Sequence, residues 1–75
     1  MDKGVIGEKA GIVWRLLNDD NRRWEFSEIE KATGMDEKEL SAAIGWLARE
    51  NKVQFELDKE HGKAYLSLIL NVYIG

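Results

Sequence analysis

Two hydrophobic rhythms divide the chain. Up to about residue 50 the apolar positions recur every third or fourth residue, and from Val53 onward they recur every second one. The first spacing marks one face of a helix, and the second marks one face of a strand. Within residues 36–50, Leu40, Ala43, Ile44 and Leu47 form a single apolar stripe. The opposite side of the same helix carries Lys38, Ala42, Gly45 and Arg49. That stripe is flat, with a cation near each end. Gly45 in mid-helix costs up to about 1 kcal/mol relative to alanine. A flat stripe admits close approach by a nucleic-acid groove or by another helix.

Helix starts can be read before residues 30 and 39. Ser27 precedes Glu30 by three residues, and Asp36 precedes Glu39 by three. Each pair has the form of a capping box. Thr33-Gly34-Met35 lies between the two starts. Glycine adopts the left-handed conformation that ends a helix without steric cost. Residues 27–50 therefore predict a short helix, a tight turn and a longer helix, the helix-turn-helix arrangement.

After this unit, Val53, Phe55 and Leu57 alternate with Gln54, Glu56 and Asp58, and Ala64, Leu66 and Leu68 alternate with Tyr65 and Ser67. Lys59-Glu60-His61-Gly62 reads as the loop of a hairpin. Folding there sets Leu57 against Ala64, Phe55 against Leu66 and Val53 against Leu68, all on one half-buried face. Asp58 then pairs with Lys63, and Glu56 with Tyr65. The apolar series continues through Leu70, Val72 and Ile74. This tail is expected to pack on the first helix or to pair with a second chain.

Residues 2–17 predict the first helix. Val5, Ile6, Ala10, Ile12, Val13, Leu16 and Leu17 cover more than half of its circumference, and Trp14 extends the arc. Gly4, Gly7 and Gly11 lie on the other side with Glu8 and Arg15. A row of glycines permits close backbone approach, and fraying at the terminus accounts for Gly4 and Gly7 equally well. The wide arc favours a homodimer whose interface includes Gly4, Gly7, Gly11, Trp14, Val72 and Ile74. Asn18-Asp19-Asp20-Asn21 reads as a turn and lacks the spacing of a calcium loop. Arg22-Arg23 reads as a solvated loop in preference to a phosphate clamp. Trp24-Glu25-Phe26 suits a brief strand.

Ala32-Thr33-Gly34-Met35, with Leu40, Ile44, Leu47 and Val53, resembles the winged helix-turn-helix of bacterial transcriptional regulators. Those regulators commonly place a glycine where this chain has Asn51-Lys52 before Val53. Asn51 tolerates the left-handed conformation nearly as well. The whole chain, especially GEKAGIVWRLL and AAIGWLAREN, also resembles a family of small stand-alone winged helix-turn-helix domains. The expected fold is α+β: a winged helix-turn-helix of three helices and a small antiparallel sheet whose hairpin is the wing, forming one domain over residues 1–75.

Composition narrows the functional classes. A chain of 75 residues with 33% charged and 44% hydrophobic side chains reads as a globular domain, not a disordered one. A chain this short buries only about 60% of its unfolded surface. Eleven basic residues against fourteen acidic ones give a net charge of −3, an unfavourable balance for a DNA binder. The absence of cysteine excludes disulfides and thiolate metal sites. No stretch is long and apolar enough for a membrane span or secretory signal, which predicts a cytoplasmic protein.

Candidate chemistry is sparse. His61 is the single histidine, at the expected loop tip, with no serine or acid placed to orient it. Asp58 and Glu60 read as solvated. Gly7-Glu8-Lys9-Ala10 lacks the spacing of a phosphate loop. No enzyme activity, catalytic residue, metal or cofactor is expected.

Two readings of function remain. In the first, the helix at 36–50 enters the major groove of double-stranded DNA. Lys38 and Arg49 meet phosphates, Ser41 a base edge and Ala42 a thymine methyl, while Gly45 permits close approach. Lys52, Lys59 and Lys63 touch the flanking backbone. In the second, the domain is a protein-interaction or homodimerisation module, with Trp46 beside the flat stripe as an anchor. Against the first stands the acidic balance of the helix, Asp36, Glu37, Glu39 and Glu50 against Lys38 and Arg49.

Overall fold

The computed structural model describes residues 2–69. In chain order it contains α1 (Lys3–Asp19), β1 (Trp24–Glu25), α2 (Phe26–Thr33), α3 (Glu37–Arg49), β2 (Val53–Asp58) and β3 (Lys63–Leu68). The strands form one antiparallel sheet in the order β1-β3-β2. This is a winged helix-turn-helix, with β2 and β3 as the wing. Among the described residues, no helix is long and apolar enough to cross a membrane. Val72 and Ile74, expected at a dimer interface, lie outside the described residues.

The corner between α2 and α3 forms as its residues require. Gly34 takes φ +73° and ψ 9°, and its N–H donates to the Glu30 carbonyl at 2.8 Å. Asp36 caps α3: the Glu39 N–H donates to Asp36 Oδ1 at 2.8 Å, and the Asp36 N–H donates to Glu39 Oε1 at 3.1 Å. At the other end of α3, Asn51 takes φ +56°, the left-handed turn that leads into β2.

The start of α2 differs from expectation. Its N-cap is Glu25, and the Glu25 N–H donates to Glu28 Oε1 at 2.9 Å. Ser27 lies inside the first turn, so the Ser27–Glu30 pair caps nothing. Strand β1 runs directly into the helix, and Arg22 holds Glu28 in place through two contacts of 3.2 and 3.1 Å. Helix α1 is longer than the aspartates and asparagines suggest. Asn18 and Asp19 are helical, and the Asp20 N–H still reaches the Leu16 carbonyl at 3.3 Å.

The core is one cluster drawn from every element. It contains Ala10, Val13 and Leu17 of α1, Trp24 of β1, Ile29 of α2, Met35 of the turn, Leu40, Ala43, Ile44 and Leu47 of α3, and Val53, Leu66 and Leu68 of the sheet. Hairpin pairing follows the expected register from Val53–Leu68 to Asp58–Lys63. Burial does not follow it. Val53 is buried, yet Phe55 is 55% exposed and Leu57 is 65% exposed. Leu66, opposite Phe55 on the central strand, is fully buried, so the exposure belongs to the edge strand, where the Phe26 ring of α2 lies 6.3 Å from the Phe55 ring. On α1, Val5, Ile12 and Trp14 also remain exposed.

Ile29 and Phe55 therefore separate core from wing. Ile29→Ala should destabilise the domain by about 2–5 kcal/mol, as cavity formation at a sealed site does. Phe55→Ala should cost a small fraction of that in a monomeric state. Urea denaturation of dilute samples of both variants checks the contrast.

Candidate nucleic-acid interface

Packing decides which side of α3 is left for solvent. Leu40, Ala43, Ile44 and Leu47 are buried. At about 100° per residue, Lys38, Ala42, Gly45 and Arg49 fall on the opposite side. Lys38, Gly45 and Arg49 are exposed, Ala42 is half-buried, and Ser41 is exposed beside them. A Cβ built on Gly45 would meet no atom within 4 Å. The side chain is therefore not excluded by packing within this chain.

Two of the four acids at 36–50, Asp36 and Glu39, are engaged away from that stripe, while Glu37 and Glu50 stay exposed. Asp36 caps the helix. Glu39 faces α1, where Lys9 Nζ lies 2.9 Å from Glu39 Oε2. Hydrogen bonding to Lys9, and then to the Asp36 backbone N–H, holds the Glu39 carboxyl below the usual glutamate range. Trp46 lies on the same side: a Cβ on Gly7 would stand 3.8 Å from the Trp46 ring. Trp46 thus borders α1 and keeps 40% of its surface exposed. The helix balance of two excess acids does not describe the exposed stripe, whose formal charges are both positive.

The remaining candidate cations are more scattered. Lys52 lies in the turn after α3, and Lys59 lies in the loop joining β2 to β3; both are exposed. Lys63 sits on the polar face of the sheet, where its Nζ is 3.9 Å from Glu25 Oε2. Among the described residues, Lys38, Arg49, Lys52 and Lys59 have no ion-pair partner. Gly4 and Gly11 lie along α1 with Gly7. A Cβ on Gly11 would meet nothing within 4 Å, and one on Gly4 would stand 3.3 Å from Asp2 Oδ1. Trp14, a helical turn beyond Gly11, is 37% exposed.

Arg22 and Arg23 lie in an exposed loop, as expected, and both also make surface ion pairs. Arg22 pairs with Asp20 and Glu28, and its guanidinium lies 3.7 Å over the Trp24 ring centroid. Arg23 pairs with Glu56 at 2.9 Å and lies 4.1 Å over the Tyr65 ring centroid. The partners of Arg22 are near in sequence, whereas Glu56 and Tyr65 reach Arg23 from the hairpin.

His61 also differs from expectation, because an acid does orient it. Its Nδ1 is 2.8 Å from Asp58 Oδ2, while Asp58 Oδ1 accepts from the Glu60 and His61 N–H groups. The His61 contact is the first cause holding the Asp58 carboxyl below its ordinary range. Asp58, Glu60 and His61 bring ligand-type atoms within 4.8 Å of one another. The hydrogen bonds account for this grouping as the closure of an exposed hairpin loop.

The family described as winged helix-turn-helix domain (DUF2582) matches residues 1–68, and the chain belongs to it. The uncharacterized protein MJ1608 of Methanocaldococcus jannaschii is 42% identical over 53 residues, which span 67% of this chain and 73% of MJ1608. The solution structure of protein BT2368 from Bacteroides thetaiotaomicron has a TM-score of 0.77 and 34% identity, over 91% of this chain and 79% of that one. A structure from work on the DNA recognition and protein interaction domains of HOP2 has a TM-score of 0.67 at 20% identity, over 81% of this chain and 98% of that one. This last likeness is one of fold.

The Lys9–Glu39 tie predicts an acid response. Glu39 has its folded pKa lowered from an ordinary value of 4.5. Its contribution is therefore present above about pH 4.5 and is lost as pH falls through the lower folded value. Glu39→Gln should melt below the parent at pH 7, and the gap should close on acidification. Thermal melts from pH 7 to pH 2.5 check this.

Proposed function

We propose that this winged helix-turn-helix domain binds double-stranded DNA with α3 in the major groove. One observation carries the reading: the side of α3 opposite its buried stripe has a cation near each end and small residues between, with the exposed Glu37 and Glu50 off that stripe. Lys38 and Arg49 are roughly 16 Å apart along the axis, at 1.5 Å per residue. They meet phosphates on either side of the groove. Ser41 reaches a base edge, Ala42 meets a thymine methyl, and Gly45 lets the helix seat closely. Lys52 and Lys59 touch the flanking backbone. Lys63 contributes least, because Glu25 competes for its charge.

Gly45 supports the reading on energetic grounds. It weakens the helix by up to about 1 kcal/mol relative to alanine. Packing inside the chain does not require it, since its Cβ position faces open space. A surface that a groove must approach closely gives the missing hydrogen a purpose. The protein-interaction reading draws on a different observation, the exposed Phe55 and Leu57 of the wing.

Few cations and a net charge of −3 imply weak binding with a modest salt dependence. With two to four phosphate contacts, the log–log slope against salt should lie at about −2 to −4. Lys38→Ala or Arg49→Ala should weaken binding across all sequences and reduce the slope by about 1. Fluorescence anisotropy with mixed-sequence duplex tests this, and no binding at low salt would refute it. Gly45→Ala should raise stability by up to about 1 kcal/mol while weakening the duplex complex.

A further inference from the structure

The wing leaves an unpaired edge as well as an exposed apolar face. Among the described residues, in the order β1-β3-β2, β3 is central and β2 is bounded on one side only. The backbone direction along β2 follows from one bond. The Ile69 N–H donates to the Lys52 carbonyl at 2.9 Å, in line with the Val53–Leu68 register. Antiparallel ladders alternate between pairs that exchange hydrogen bonds and pairs that do not. The even positions Lys52, Gln54, Glu56 and Asp58 therefore direct their backbone groups toward β3. Val53, Phe55 and Leu57 direct theirs outward. The three residues with free backbone groups are also the three apolar ones.

We propose that β2 is the docking edge for a second copy of this chain, paired antiparallel about a two-fold axis at Phe55. Opposed residues must both direct backbone groups across the seam, which leaves only pairings of odd with odd positions. Setting Phe55 opposite Phe55 of the second copy places Val53 opposite Leu57 and aligns all three pairs of outward groups. On the polar face it places Lys52 opposite Asp58 and Gln54 opposite Glu56. Opposite charges meet, and no like charges do. The Phe–Phe and Lys–Asp neighbours across the seam each contribute roughly 0.2–1 kcal/mol relative to alanine pairs.

The neighbouring registers are worse. A slide of one pair toward the wing tip sets Glu56 against Glu56. A slide the other way sets Leu57 against Asn51, whose φ of +56° removes it from the extended strand. Two devices that usually protect an edge are absent from β2, whose charges Glu56 and Asp58 lie on its polar face. It has no proline, and its pairing with β3 runs without a bulge from Val53 to Asp58. The proposal does not rest on DNA binding. Lys52 serves both readings, so neither test is decided by it.

The chain contains no cysteine, so single cysteines report the register directly. Position 55 of one copy and position 55 of the other form a hydrogen-bonded pair with Cα atoms about 5.5 Å apart. That separation is within disulfide reach. The two copies of position 57 stand roughly 14 Å apart, four residues along the strand. Phe55→Cys should therefore oxidise rapidly to a linked dimer, and Leu57→Cys should not. The unmodified chain should sediment as a dimer at micromolar concentration, and Phe55→Lys as a folded monomer by circular dichroism. A monomeric parent, equal cross-linking at both positions, or a dimer that survives Phe55→Lys and dissociates on Gly11→Lys would overturn the proposal. The last result would assign the interface to α1.

Discussion

The burial of one stripe of α3 is the constraint on which the rest of the domain depends. A helix of 13 residues offers several faces, and Leu40, Ala43, Ile44 and Leu47 commit one of them to the core. Once they are buried, the direction of Lys38, Ala42, Gly45 and Arg49 follows from helical geometry alone. The Gly34 corner brings Ile29 of α2 onto the same core. α1 closes the other side, and Glu39 and Trp46 meet it there. The exposed stripe is thus a consequence of packing, with no loop left to position it.

The same constraint changes the meaning of the net charge. Residues 36–50 carry two excess acids, yet Asp36 caps the helix and Glu39 faces α1, which leaves only Glu37 and Glu50 exposed. Asp36 satisfies a free N–H at the helix start, where a negative charge also complements the helix dipole. Glu39 binds Lys9. The arginines of the β1 approach are occupied in the same manner by Glu28 and Glu56. Local charge at a groove-facing surface depends on which ions are already paired, which the total of −3 does not express.

Much of this architecture was legible in spacing. The Asp36 cap, the Gly34 corner, the left-handed Asn51 and every pair of the hairpin register follow from local residue chemistry. The parts that were not legible depend on which of several short-range partners each side chain takes. Glu25 replaces Ser27 as the cap of α2 because β1 abuts the helix and Arg22 steadies Glu28. His61 gains an acid partner because the loop folds Asp58 back on itself. Alternation correctly assigned Phe55 and Leu57 to the face that carries Val53. It could not state which strand of the hairpin lies at the edge, so their exposure emerged only in three dimensions. Sequence spacing likewise placed Trp46 beside the stripe without saying that Gly7 would give it a seat.

Two exposed apolar regions remain, and they differ in kind. On α1, Val5 and Ile12 lie seven residues apart on a helix whose backbone groups are satisfied internally. Another chain could cover them in many orientations, because nothing there is directional. The β2 edge combines apolar area with outward N–H and C=O groups, whose alternation restricts any partner strand to one parity. Side-chain charge then selects among the permitted registers. A small domain buries too little of its surface to leave both regions without consequence. Directional constraint, more than apolar area, makes the strand edge the more specific of the two, because a mismatched partner there forfeits hydrogen bonds and opposes like charges together.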